Sequence, residues 1–433
     1  MKTKWAWLSA CIAMGNLAAF AQDRSISIQE AIQLATTQSK EAKAADTRIT
    51  GKQLELGVAK NKQLPDAKIS GQFAMLSTPN IDLKIPMGEG KGAPDIKANQ
   101  LLLGQASVSM PLYAGGKIRN SIHIAESAVE MEQFSALNTK DQLATQAIRL
   151  YVALYKAQQT ATLMQENIKR SEQQVSDFKA MEANGLIARN DLLKTELQLS
   201  NYRVALQEAL KNVKVVNYQL VTLLQLEEST VIRQLPFKDE AAVPEEASVE
   251  TALLTRNELK ILETQHKIAE DQLKISKADY LPSIALTGGY MGVGIKNVLT
   301  VTNALNVGVG LSYDLGSLYK NNKNVSLAKH QISEVEEQIE IMNDRIKIQV
   351  QQATENYQLA QDQEKVYEEA VKQADENYRI VKDKYENGVA DTDDLLEADV
   401  QQLQTRINEA VSKANVMEKY YDLLLANGQL TSK

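Results

Sequence analysis

The sequence predicts an α+β chain built as two copies of one plan: a helix, a pair of strands, a long helix and a shorter return helix. Three observations predict it. One motif is written twice, Asn184-Gly185-Leu186-Ile187-Ala188-Arg189-Asn190-Asp191-Leu192-Leu193 and Asn387-Gly388-Val389-Ala390-Asp391-Thr392-Asp393-Asp394-Leu395-Leu396, at an offset of 203. Long polar segments with helical periodicity flank both copies. Four short segments switch to a period of two, with apolar residues on one face and Ser, Thr, Gly and Gln on the other.

The first residues read as a removable export signal over 1–21. Lys2 and Lys4 precede an apolar stretch, and Ala19-Phe20-Ala21 gives a small-x-small cleavage site. Leu8-Ser9-Ala10-Cys11 imitates a lipoprotein box but lies too close to Lys4 to leave room for an apolar core. Cys11 is the only cysteine, so the exported chain is expected to hold no disulfide. Losing the two signal lysines takes the net charge from -7 to -9. Basic residues alternate with acids along the helices, which excludes a nucleic-acid footprint. Beyond the signal no run of about 18 apolar residues predicts a membrane-spanning helix.

The first repeat is expected over 22–227. Ser27-Ile28 opens a helix that runs to about Gln63, where Leu64-Pro65 stops it. Ala67, Ile69, Gly71, Phe73 and Met75 then alternate with polar or small residues. After a polar stretch, roughly Ser77 to Gln100, Ala106, Val108, Met110 and Leu112 do the same. A helix follows from about Lys117 to Glu182 without Pro or Gly, roughly 100 Å long at the α-helical rise. Asn-Gly ends it, because glycine accepts positive φ, and Asp191 is expected to cap the return helix to about Leu226. A linker over 228–247 carries Pro236 and Pro244.

The second repeat, 248–433, follows the same order. Its first helix ends at Tyr280-Leu281-Pro282. Ile284, Leu286, Gly288 and Tyr290 form one apolar face, and Leu305, Val307, Val309, Leu311 and Tyr313 another. A helix from about Lys320 to Glu386 leads to the second tip, where Asp394 is the expected cap of a return helix reaching about Ala426. Ile332, Val335, Ile339, Met342 and Ile346 step by three and four, as do Val371, Ala374, Tyr378, Val381 and Tyr385, so each set is a packing seam. Tyr113, Tyr280, Tyr290 and Tyr313 lie near strand ends, where an interfacial aromatic belt would place them.

Four strands cannot close their own edges, since closed barrels need about eight or more. For an exported chain the economical solution is a barrel shared between copies in the outer membrane. Two copies would give eight strands and a plugged or narrow bore, and three would give twelve strands and an open lumen lined by the small polar face. The alternative is a small β-sandwich cap on a helical rod.

With these features in order, the chain resembles the TolC-like outer-membrane efflux protein family. The residues that carry the resemblance are the Leu-Pro stops before strands, Pro111-Leu112-Tyr113-Ala114-Gly115-Gly116-Lys117, the doubled Gly-x5-Asp tip and the closing Leu425-Ala426-Asn427-Gly428-Gln429-Leu430. The resemblance implies a homotrimer: an outer-membrane β-barrel with four strands per chain, in contact with outer-membrane lipid, continuous with a long periplasmic α-helical barrel. It also implies docking to a periplasmic adaptor and, through it, an inner-membrane transporter, for efflux or type I secretion. Carried over by position, the docking tips are Asn184, Gly185, Leu186, Asn387, Gly388 and Val389, and the periplasmic entrance is constricted at Asp394 and Glu397. Ala390 stands where some members carry an Arg that latches the entrance. Asp391 and Asp393 add charge there, so the channel is expected to open readily. The competing expectation is a periplasmic coiled-coil scaffold or adaptor without a pore.

No enzyme chemistry is expected. His123, His266 and His330 have no second ligand at i+4, Gly115-Gly116-Lys117 lacks phosphate-loop spacing, and no nucleophile–base pair stands out. Neither a metal nor a cofactor is expected.

Overall fold

The computed structural model describes residues 23–77, 99–234, 248–296 and 299–431. The expected signal segment, most of the loop between the first two strands and most of the 228–247 linker lie outside the described residues. The rest fall into two compact units. One lies within Met1–Lys43, Thr139–Thr255 and Ile346–Lys433, the other within Ala44–Asn138 and Arg256–Arg345. Each unit therefore draws on both sequence repeats.

In chain order the elements are β1 (Asp23–Ile26), α1 (Ile28–Gln38), α2 (Lys40–Asn61), β2 (Asp66–Met75), β3 (Gln100–Ala114), α3 (Lys117–Ala183), α4 (Arg189–Leu223), β4 (Val231–Gln234), α5 (Val249–Thr255), α6 (Asn257–Ala278), β5 (Ser283–Ile295), β6 (Leu299–Ser312), α7 (Ser317–Lys320), α8 (Asn322–Glu386) and α9 (Thr392–Ala426). Two helices expected to be continuous are interrupted, and a short helix precedes the second long one. At Ser39 the backbone turns extended and the Ser39 hydroxyl accepts the Ala42 N–H at 3.1 Å, which starts α2 afresh. Arg256 is likewise extended between α5 and α6. Asn321, buried, separates α7 from α8 and donates to the Ser276 carbonyl at 2.6 Å.

The first unit holds two features. A short parallel pair, β1 with β4, joins Ile26 to Gln234 and Arg24 to Ile232. No local pattern signals it: β4 lies inside the expected linker. Its isoleucines, Ile26 and Ile232, are fully buried among Tyr151, Val152, Leu154, Leu220 and Val221. Side chains satisfy its outer backbone groups. Tyr151 donates to the Ile26 carbonyl at 2.9 Å, Gln158 donates to the Ile232 carbonyl at 3.0 Å, and the Ile232 N–H donates to Asn217 Oδ1 at 2.9 Å. A second core lies toward the two tips and combines Ile168, Val175 and Phe178 of α3, Leu192, Leu199 and Tyr202 of α4, and Leu395 and Leu403 of α9. The expected seam residues Tyr378, Val381 and Tyr385 of α8 pack against it, and Tyr385 stacks on Phe178 with ring centres 5.5 Å apart.

The second unit is organised by a four-stranded antiparallel sheet, order β2-β3-β5-β6. Its register aligns the four alternating faces. Ile69, Ala106, Tyr290 and Leu305 form one cross-strand row, and Ala67, Val108, Gly288 and Val307 the next. On the opposite face Lys68, Ser107, Gly289 and Asn306 stand in line. A register shift between Pro111 and Tyr113 accommodates the proline, which cannot donate to a ladder. The passage from β3 into α3 needs glycine: Gly115 has φ +63°, and a Cβ there would stand 2.8 Å from the Ala278 carbonyl oxygen.

Candidate functional site

The two copies of the tip motif adopt the same backbone. At the first, the Leu186 N–H donates to the Met181 carbonyl and the Gly185 N–H to the Glu182 carbonyl, both at 2.9 Å. At the second, Val389 donates to Lys384 at 2.8 Å and Gly388 to Tyr385 at 3.0 Å. With Gly185 at φ +72° and Gly388 at φ +69°, each is a Schellman closure. The asparagine before each glycine reaches back one turn: Asn184 to the Ala180 carbonyl and Asn387 to the Asp383 carbonyl, both at 2.7 Å. Every backbone group these bonds use is thereby withdrawn from docking. What remains on offer is side chain: Leu186 is 70% exposed and Val389 75%.

The helices that leave the tips start differently. Helix α9 begins with a capping box. Asp391 Oδ1 accepts the Asp394 N–H at 3.0 Å, and Asp394 Oδ2 accepts the Asp391 N–H at 3.3 Å. Asp394 thus completes the cap from the third helical position, while Asp391 is the capping residue itself. Helix α4 begins from Ala188 without a side-chain cap, so Asp191 does not cap it. Asp191 instead sits in the first turn, where its charge complements the helix dipole.

Asp394 and Glu397 are both exposed on α9, one turn apart, and Glu397 accepts from Gln401 at 3.1 Å. The two acids expected to add free charge are engaged within the chain: Asp391 in the cap, and Asp393 with Lys194 of α4 at 2.7 Å. The Asp393 hydrogen bond holds the Lys194 ammonium above the usual lysine range. This ion pair ties one hairpin to the other at the tip.

Among the described residues no cluster of His, Cys, Asp and Glu is arranged to hold a metal ion, and no helix is long and apolar enough to cross a membrane. Tyr113, Tyr290 and Tyr313 are exposed at the sheet, with Tyr290 bonded to Asn303 at 2.9 Å.

Residues 249–429 match the family model described as outer membrane efflux protein. No curated protein sequence matches the chain. Among solved structures, the outer-membrane channel OprN superposes with a TM-score of 0.79 at 15% identity, covering 93% of this chain and 90% of that one. VceC of Vibrio cholerae gives 0.77 at 15% identity, over 93% and 96%. The CmeC outer membrane channel of Campylobacter jejuni gives 0.78 at 16% identity, over 93% and 86%. At these identities the likeness is one of fold, and the match to the family model is confined to the second repeat. By sequence the second repeat is similar to the outer membrane efflux proteins, and the described chain shares the fold of solved outer-membrane channels.

Proposed function

We propose that this chain is the outer-membrane channel of a tripartite efflux or type I secretion system. Three copies complete a twelve-stranded barrel in the outer membrane, and the helical part stands in the periplasm. The observation that carries this reading is the four-stranded sheet. Among the described residues its two outer strands, β2 and β6, each keep an unpaired edge, and its apolar rows lie open, with Ile69 91% and Val307 78% exposed. Such a sheet is stable only when its edges are paired and its apolar face is covered, and a closed barrel in lipid does both.

Asn184, Gly185, Leu186, Asn387, Gly388 and Val389 dock the periplasmic adaptor, through which the inner-membrane transporter is reached. The exposed apolar tips on closed backbone turns support this role, since binding groups sit well on loops held by rigid scaffolds. Asp394 and Glu397 constrict the entrance. Threefold repetition of two exposed acids concentrates negative charge and favours cations.

Planar-bilayer recordings of the purified protein test the channel: stable ion channels are expected, whereas a coiled-coil scaffold conducts nothing. Neutralising both acids as Asp394→Asn with Glu397→Gln is expected to lower cation preference. Unchanged selectivity would remove them from the pore. For docking, Leu186→Cys supplies the exported chain with a single thiol. Crosslinking in cells is expected to capture a periplasmic adaptor, and capture of none by a correctly assembled barrel would overturn the tip assignment.

A further inference from the structure

Asn-Gly occurs three times in the sequence, at Asn184-Gly185, Asn387-Gly388 and Asn427-Gly428, and each pair follows the end of a long helix. The third repeats the closure of the tips. Gly428 has φ +67°, its N–H donates to the Leu425 carbonyl and that of Gln429 to the Leu424 carbonyl, both at 2.9 Å. Asn427 Nδ2 donates to the Leu423 carbonyl at 2.9 Å. Asn-Gly is also a dipeptide that readily loses ammonia. The glycine nitrogen, once base has taken its proton, attacks the asparagine side-chain carbonyl carbon. The new C–N bond closes a cyclic imide, and the bond to Nδ2 breaks, so that the amide nitrogen takes up a proton and leaves as ammonia. Water then opens the imide at either carbonyl and gives aspartate or isoaspartate. Glycine favours the attack because no Cβ shields its nitrogen or restricts its φ.

Each closed turn withholds both partners of that attack. The Asn184 and Asn387 amides reach back along their helices, each 2.7 Å from a carbonyl four residues earlier, so neither lies over the glycine that follows it. The Gly185 and Gly388 protons, whose loss would create the nucleophile, are held on the Glu182 and Tyr385 carbonyls. Both tip asparagines are exposed, whereas Asn427 is fully buried. Water and base therefore reach the tips, and only the turn stands between them and reaction. We propose that Asn184 and Asn387 are deamidation sites gated by their turns, unreactive while the turn is closed and converted when it opens. Conversion runs one way. Asparagine donates to the carbonyl behind it, but a carboxylate is acceptor-only and repels that oxygen. It also sets a negative charge at the negative end of the helix dipole. A converted tip cannot re-form its back-bond, and it carries a new charge beside the exposed Leu186 or Val389. The chemistry depends on the turns alone, whatever the assembled chain conducts.

Mass spectrometry of the peptides that carry each Asn-Gly pair tests this on the full protein. One portion is kept folded in mildly alkaline buffer, and another is unfolded in guanidinium chloride. Unfolded, the three pairs are expected to convert at like rates. Folded, Asn184 and Asn387 are expected to convert roughly tenfold or more slowly, the factor that two retained hydrogen bonds would give. Asn427, closed in the same way and buried, is expected to remain an amide. Hydrogen exchange at Gly185 and Gly388 reads loss of the same proton. As denaturant below the global transition loosens the turns, conversion is expected to rise in step with that exchange. Folded tips that convert at the unfolded rate would overturn the gate. Conversion that ignores the exchange rate would do so too, as would tips that stay amides while their glycines exchange freely. Asn184→Asp and Asn387→Asp reproduce the product and are expected to speed exchange at the Leu186 and Val389 N–H groups severalfold. Unchanged exchange would mean that the turn re-forms around the carboxylate, and the one-way step would fall.

Discussion

The chain holds two sheets of opposite character. In β1–β4 each strand has four residues, and its two isoleucines, Ile26 and Ile232, are fully buried. In β2-β3-β5-β6 the strands run from ten to fifteen residues, yet Leu305, Val307, Val309 and Leu311 along β6 are each more than two-thirds exposed. Both sheets use the same apolar alphabet. The difference lies in what the chain itself supplies: helices α3 and α4 roof the small pair and side chains bond its outer carbonyls, whereas among the described residues the large sheet keeps a bare face and two unpaired edges. Hydrophobic periodicity says that a face must be covered, and only the structure tells whether the chain, another copy or lipid covers it.

Substitutions sharpen this contrast. Ile232→Ala removes a wholly buried side chain and is expected to cost about 2–5 kcal/mol, read as a lower midpoint in denaturant unfolding followed near Tyr151. A loss well below that range would mean the small pair is less tightly roofed than its burial implies. Val307→Arg tests the other sheet. A lipid-facing arginine near the middle of a barrel wall costs about 2–4 kcal/mol, so assembly of a heat-resistant oligomer in bilayers should fall. The same substitution on a water-facing sheet stays within roughly 0.5 kcal/mol. Normal assembly would therefore turn the bare face toward water and break the comparison.

The strands of the large sheet were legible in the sequence because each alternates locally, whereas their register and order depend on pairings between distant segments and came with the structure. The small pair was not. Val231-Ile232-Arg233-Gln234 is too short to show a period, and its partner lies more than two hundred residues earlier. The tips were legible as Asn-Gly turns, since positive φ at glycine is a local requirement. The caps were half legible: the aspartates at either end of Asp391-Thr392-Asp393-Asp394 compete for the capping position, and geometry gives it to the first, three residues before its reciprocal partner. The burial of Asp399 on α9 could not be found at all. An aspartate on a long helix reads as a solvated charge, and its partners Asn167, Arg170 and Tyr202 are brought to it by packing.

The tips carry the contrast to its smallest scale, for there Schellman bonds close the helix ends while Leu186 and Val389 stand as exposed apolar side chains. Asp391→Ala would give α9 the start that α4 already has at Ala188, without a side-chain cap. Its expected cost is about 1 kcal/mol, seen as faster hydrogen exchange at Asp394, whose N–H loses its acceptor. Val389 lies outside the capped turn and keeps its Schellman bond to Lys384. If docking uses the exposed side chain on a turn held from the α8 side, adaptor capture at the tip should survive the substitution. Loss of capture with the barrel assembled would instead place the rigidity that matters in the start of α9, and make the two tips unequal partners despite their shared motif.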